Sequence, residues 1–231
     1  MTKHGIITGD IVASQNMPPK VRQKLFSDIA IFLKEIKKKW INDYETFRGD
    51  SLQCEVKSPE MALRVALMIR AFFKGYLSEE ELPKAQANRV EERTKGYFTT
   101  DFDIRLAIGI GDVDFIKKNK ITSSDGEAFR LSGEALDSLK NESHRLVVKT
   151  FNKEFDEQLE PAILLLDALI QKWTLNGAEL VLYLLQNKKE EEIAGLLNIS
   201  QSAVNQRKKN AQWFAIEKLI QYFEKTVQSW E

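Results

Sequence analysis

Hydrophobic periodicity changes character once along this chain, and that change limits the folds open to it. Up to about residue 154, short apolar runs with strand spacing alternate with helical stripes; from about residue 155 only helical stripes remain. Two architectures in sequence are therefore expected, one mixed and one all-helical.

In the first part, Gly5 to Val12 reads as a short buried strand, broken by Ser14-Gln15-Asn16 and Pro18-Pro19. Val21, Leu25, Ile29, Phe32, Ile36 and Trp40 then recur every three or four residues, which predicts a helix with Lys34, Lys37 and Lys38 mostly on its other side. Tyr44 to Phe47 and Leu52 to Val56 form two strands around an Arg-Gly-Asp turn. A second helix follows Ser58-Pro59, with Met61, Val65, Met68, Ile69, Phe72 and Tyr76 on its buried face. Residues 78–100 are polar and aperiodic and read as a helix extension with an exposed excursion. A strand from Phe102 to Ile110, a loop running into a helix from Asp125 to Leu136, and a strand from Arg145 to Lys149 complete this part.

The first six elements run strand, helix, strand, strand, helix, strand, which is the split βαβ, or ferredoxin-like, arrangement. The expectation is an α+β chain: a ferredoxin-like palm domain over residues 1–154, then an all-α domain over 155–231. In that topology the first and third strands are antiparallel neighbours. The end of the first then lies beside the start of the third, and Asp10 and Asp50 fall at one sheet edge.

Those two aspartates each follow a glycine, in Ile-Ile-Thr-Gly-Asp10-Ile-Val and Phe-Arg-Gly-Asp50-Ser-Leu. Gly-Asp is also ordinary turn chemistry. On adjacent strands, however, two hard oxygen ligands can share Mg2+ or Mn2+, ions that complete their shells with water and substrate phosphates. A nearby loop at Gly126, leading into a helix, could hold those phosphates.

The charges balance, 34 basic against 34 acidic, so no global field draws the chain to nucleic acid or membrane, and such binding requires a local patch. The one cysteine, Cys54, sits in an apolar run and reads as a buried structural thiol. An acidic residue interrupts the start where a signal peptide would stay apolar, and no apolar run approaches a membrane span. A reducing, cytoplasmic setting is expected.

The run Gly9 to Val12, the hairpin Phe47 to Ser51, the strand Ile104 to Gly111 and the segment Gly126 to Leu136 occur in that order and resemble the catalytic core of class III nucleotidyl cyclases. The whole chain is similar to the bacterial SatD family. The resemblance implies a nucleoside triphosphate bound with metal, Asp10 and Asp50 as ligands and the Ile11 carbonyl as a further one. It also implies departures. Arg130 stands where the cyclases place a ribose-orienting asparagine, Glu134 where they place a transition-state arginine, and Thr46 where they place a base-reading lysine. Glu134 repels phosphoryl charge, and only Arg130 or Arg48 is at hand to replace the missing arginine. Nucleotide and metal binding is thus expected ahead of cyclisation.

In the second part, Lys188 to Lys209 reads as a helix-turn-helix. Ala194 supplies the small residue at the helix contact, Asn198 tolerates a left-handed turn, Ser200 is a good cap, and Ile193, Leu197, Ile199 and Val204 fall at core positions. The pattern resembles the helix-turn-helix of LuxR-type regulators and of sigma factor region four. It implies that Gln201, Ser202, Asn205, Gln206, Lys208 and Lys209 face the major groove or flanking phosphates. From Gln201 to Gln212 the chain has three basic residues and no acid.

Trp213, Ile216, Ile220, Phe223, Val227 and Trp230 form a further stripe, suited to the core or to a homodimer contact. His4 and His144 show no partner in the sequence. Together these features predict a DNA-binding regulator with a nucleotide- and metal-sensing palm domain. The alternatives are an active metal-dependent cyclase or nucleotidyltransferase, and a non-catalytic interaction module.

Overall fold

The computed structural model describes residues 3–76 and 102–230. The polar stretch at 78–100 lies outside them. Five strands form one mixed sheet: β1 His4–Ile11, β2 Ile41–Phe47, β3 Ser51–Val56, β4 Ile104–Gly111 and β5 Leu146–Thr150, in the order β2-β3-β1-β4-β5. Strand β1 pairs antiparallel with both β3 and β4, and β4 pairs parallel with β5. The first four strands thus have the ferredoxin-like order, to which β5 adds an edge, and the α+β expectation holds.

The helices are α1 Pro19–Trp40, α2 Ala62–Gly75, α3 Glu127–Leu139, α4 Lys153–Gln171, α5 Leu175–Leu185, α6 Glu190–Leu197, α7 Gln201–Asn210 and α8 Trp213–Gln228. Alternation along the strands divides the sheet into two faces. One face presents Ile7, Ile11, Leu52, Cys54, Ile104, Leu106 and Ile108 to the main core, shared with α1 and α2. Burial pushes the Cys54 thiol up to about 12, with the charge of Glu55 adding to it, so it is inert. The other face carries Ile6 and Ala107 under α3, packed on Ala128, Phe129, Ala135 and Leu136.

The second helix departs from the amphipathic pattern. Its hydrophobic positions and even Arg70 are buried nearly all round, because the sheet covers one side of α2 and α5 covers the other. One apolar core runs from Ile7 to Val227 across residue 155, where periodicity places a domain boundary. The stripe on α8 lies inside it: Trp213, Ile216, Ile220, Phe223 and Val227 are buried, and Trp230 packs edge-on against Phe151 and Phe155.

Arg70 holds this junction together electrostatically. Its guanidinium donates to both oxygens of Asp103 at 3.0 and 3.3 Å and also to Asp167 on α4. Arg145, just before β5, donates to Asp103 at 2.6 Å, and its amide donates to Asp167 at 3.1 Å. Burial works against charge on Asp103, but Arg70 and then Arg145 and Lys74 outweigh it and hold the carboxyl below the usual range.

Candidate functional site

The sheet edge is built by register. Asp10 pairs across β1 with Ser51 on one side and with Arg105 on the other, so Phe47, Ser51, Asp10 and Arg105 form one row on one face. Gly9 allows this approach: a Cβ there would lie 2.6 Å from Leu106 Cδ2 and 2.9 Å from the Arg105 carbonyl. In the hairpin, Arg48 (φ 56) and Gly49 (φ 80) both take the left-handed region, which turns the chain within three residues and sets Asp50 beside Ile11. The Ile11 amide donates to the Asp50 carbonyl at 2.8 Å. Topology therefore brings Asp10, Ile11, Asp50 and the exposed Arg48 to one edge.

Their chemistry is already partnered. Arg105 donates through Nε and Nη2 to the two oxygens of Asp10, each at 2.8 Å. Asp50 accepts from Ser14 Oγ at 3.0 Å and from Ser51 Oγ at 3.1 Å, which ties the loop after β1 to the hairpin. The Ile11 side chain points into the core. No group of three or more His, Cys, Asp or Glu side chains converges on a metal position among the described residues. With a guanidinium seated on both Asp10 oxygens, this donor set does not fit a divalent ion. Reading types and spacing alone missed Arg105; its signal was a lone charge inside an otherwise apolar strand.

The residues expected to hold a nucleotide are split. Gly126, against the 112–114 backbone, lies past the end of β4 away from Arg105, and the Arg130 side chain, one turn into α3, is drawn to that same end by Asp114 and Asp125. Gly126 opens α3 at φ 147, and a Cβ on it would lie 2.5 Å from Val113 Cα, so it serves tight packing on the 112–114 backbone. Arg130 pairs with Asp125 at 2.9 Å and Asp114 at 3.5 Å, in acidic surroundings that repel phosphate. Glu134 is exposed on the same helix, and Thr46 pairs with Leu52, on the opposite face of the sheet from Asp10. The remaining acids of the Asp10 face also have partners: Asp43 accepts from Lys37 and the Asn119 amide, Glu45 from Thr122, and Glu55 from His4 at 2.8 Å. His4 therefore has a partner that the sequence did not reveal.

The helical part presents a second arrangement. Asn198 closes α6 in the left-handed conformation (φ 50, ψ 49), and the Ser200 side chain caps α7 by accepting from the Ala203 amide at 3.2 Å. Ile193 and Val204 are fully buried between the two helices and α5, while Ala194, Leu197 and Ile199 pack partly against them. Ile199 is held by its amide to the Ala194 carbonyl at 3.0 Å. Of the four expected core positions, Ile193 and Val204 are buried, whereas Leu197 and Ile199 are only partly so.

Gln201, Ser202, Asn205, Gln206 and Lys209 are exposed, at helical spacing on one continuous face of α7. Lys208 is different. It is half-buried and paired with Glu190 at the start of α6, so its charge is largely spent within the protein. Ser202 shares a hydroxyl contact with Ser200 at 2.8 Å, and Gln206 donates to Asn210 at 3.0 Å. Beyond α7 the exposed ring of Phe214 flanks a groove lined by Asn205, Lys208, Lys209, Gln212, Trp213 and the acidic Glu217.

No family model matches the chain, and no curated protein does. Among solved structures it is similar to a bacterial light-regulated adenylyl cyclase, at 13% identity over 64% of this chain and 75% of that one, with a TM-score of 0.34. Strand order and pairing establish the α+β fold. No helix among the described residues is long and apolar enough to cross a membrane.

Proposed function

We propose that the chain is a DNA-binding regulator that reads a duplex through α7. The carrying observation is the exposed row Gln201, Ser202, Asn205, Gln206 and Lys209, acid-free and raised on a capped helix whose buried side is anchored by Val204. Amide side chains at such positions are suited to base edges, adenine above all, and lysine to phosphate. In this reading Asn205 and Gln206 discriminate sequence, while Lys209 supplies charge, and Lys208 contributes only when it leaves Glu190.

Sensing of a nucleoside triphosphate with Mg2+ or Mn2+ at the sheet edge has less support. Asp10 is committed to Arg105, and Gly126 and Arg130 lie at the far end of β4. Cyclase or transferase chemistry has less still, since Glu134 and Thr46 bring no positive charge to phosphate.

Fluorescence anisotropy with randomised duplex pools at several salt concentrations tests the proposal. Binding should weaken steeply with salt, and Lys209→Ala should weaken all sequences alike and reduce the salt slope by about one. Asn205→Ala and Gln206→Ala should instead relax the preferred sequence, at about 1–3 kcal/mol for a bidentate contact. Folded protein that binds no duplex at low salt would overturn it.

A further inference from the structure

We infer that Arg105 is a resident cation, seated where the cyclase resemblance places a divalent metal, so that the sheet edge is a metal-free clasp. Three observations lead there. Asp10 and Arg105 are direct cross-strand partners, so the pair is imposed by the β1–β4 register rather than reached by a flexible side chain. The contact is two-pronged, Nε and Nη2 each 2.8 Å from a different Asp10 oxygen. The second carboxylate, Asp50, already accepts two hydroxyl hydrogen bonds, from Ser14 and Ser51.

A guanidinium stays charged across the accessible pH range and matches a carboxylate with two parallel donors. A magnesium or manganese ion needs oxygens at about 2.1 Å with their lone pairs free, and it brings two further positive charges beside the one already present. The two cations exclude one another. Unlike an ion, the guanidinium is covalently held and cannot be chelated away. Asp10 therefore stays neutralised whatever the metal supply, its pair with Arg105 joining β1 to the start of β4, while the two serine hydroxyls on Asp50 join the loop after β1 to the β2–β3 hairpin.

The test is manganese uptake, read from the loss of the free-ion electron paramagnetic resonance signal. Wild-type protein should leave the signal unchanged. Arg105→Ala should take up about one equivalent, with affinity raised at least about tenfold over wild type, and adding Asp10→Asn should abolish that uptake. Uptake by wild type that Asp10→Asn removes would overturn the inference. So would an Arg105→Ala protein, folded by circular dichroism, that takes up none; if that variant does not fold, Arg105→Gln serves in its place. Duplex binding measured on the same samples reports on α7 alone, so the outcomes for the two proposals are separable.

Discussion

The sheet edge and the α7 face were both marked by short polar motifs, yet the fold treats them in opposite ways. At the sheet edge Asp10 and Asp50 are satisfied internally, by Arg105 and by two serine hydroxyls. On α7 the marked side chains, Lys208 excepted, stand exposed with their hydrogen-bonding capacity directed largely outward. The difference teaches that a motif reports chemical capability, whereas the neighbours that arrive from distant sequence decide whether that capability is available. Arg105 is 95 residues from Asp10, beyond the reach of any local pattern.

Both regions draw on one apolar core, and the Arg70 junction is where to break it. Arg70→Met leaves Asp167 and part of Asp103 uncompensated in the core, so a loss of about 3 kcal/mol or more in urea unfolding is expected. The signal should remain a single transition reported alike by sheet and helix probes. Two separated transitions would show that the regions fold independently.

Acid probes the same junction without a mutation. Because Asp103 is held below its ordinary value, its contribution is fully present above the unfolded carboxylate range, near pH 4, and is lost as pH falls through the lower folded value. The urea midpoint should therefore decline below about pH 4, and less so in Asp103→Asn.

A smaller and more local effect sharpens the contrast. Asn198→Val forces a β-branched residue into a left-handed turn, at about 1–2 kcal/mol, whereas Asn198→Gly should be nearly neutral. Hydrogen exchange should show the valine variant loosening α6 and α7 first, with β1 and β4 still protected. Loosening at the sheet edge instead would mean that the two regions are mechanically coupled.

Much of the fold was legible because its signals are local. Alternating and helical periodicities mark the five strands and most of the helices in their true order, and the ferredoxin-like strand order follows from that order. Some ends were misplaced: β2 begins at Ile41, directly out of α1, because Ile41 pairs with Val56 and lengthens the hairpin past the alternating stretch from Tyr44. The all-round burial of α2 was invisible, since the α5 surface that covers its second side lies about a hundred residues away. Arg70 in that helix, like Arg105 in β4, is a charge flanked by apolar neighbours. Each was the sign of a distant carboxylate.

By itself the sequence determined the element types, the left-handed turn at Asn198, the Ser200 cap and the meeting of Asp10 with Asp50 at one edge. These depend on backbone propensity, on side-chain caps within a few residues and on strand order. Only the tertiary structure decided that Arg105 closes Asp10, that Gly126 and Arg130 stand at the other end of the sheet, and that Lys208 turns to Glu190. Those outcomes depend on strand register and charge pairing between segments far apart in the chain, where a shift of one residue puts a side chain on the opposite face.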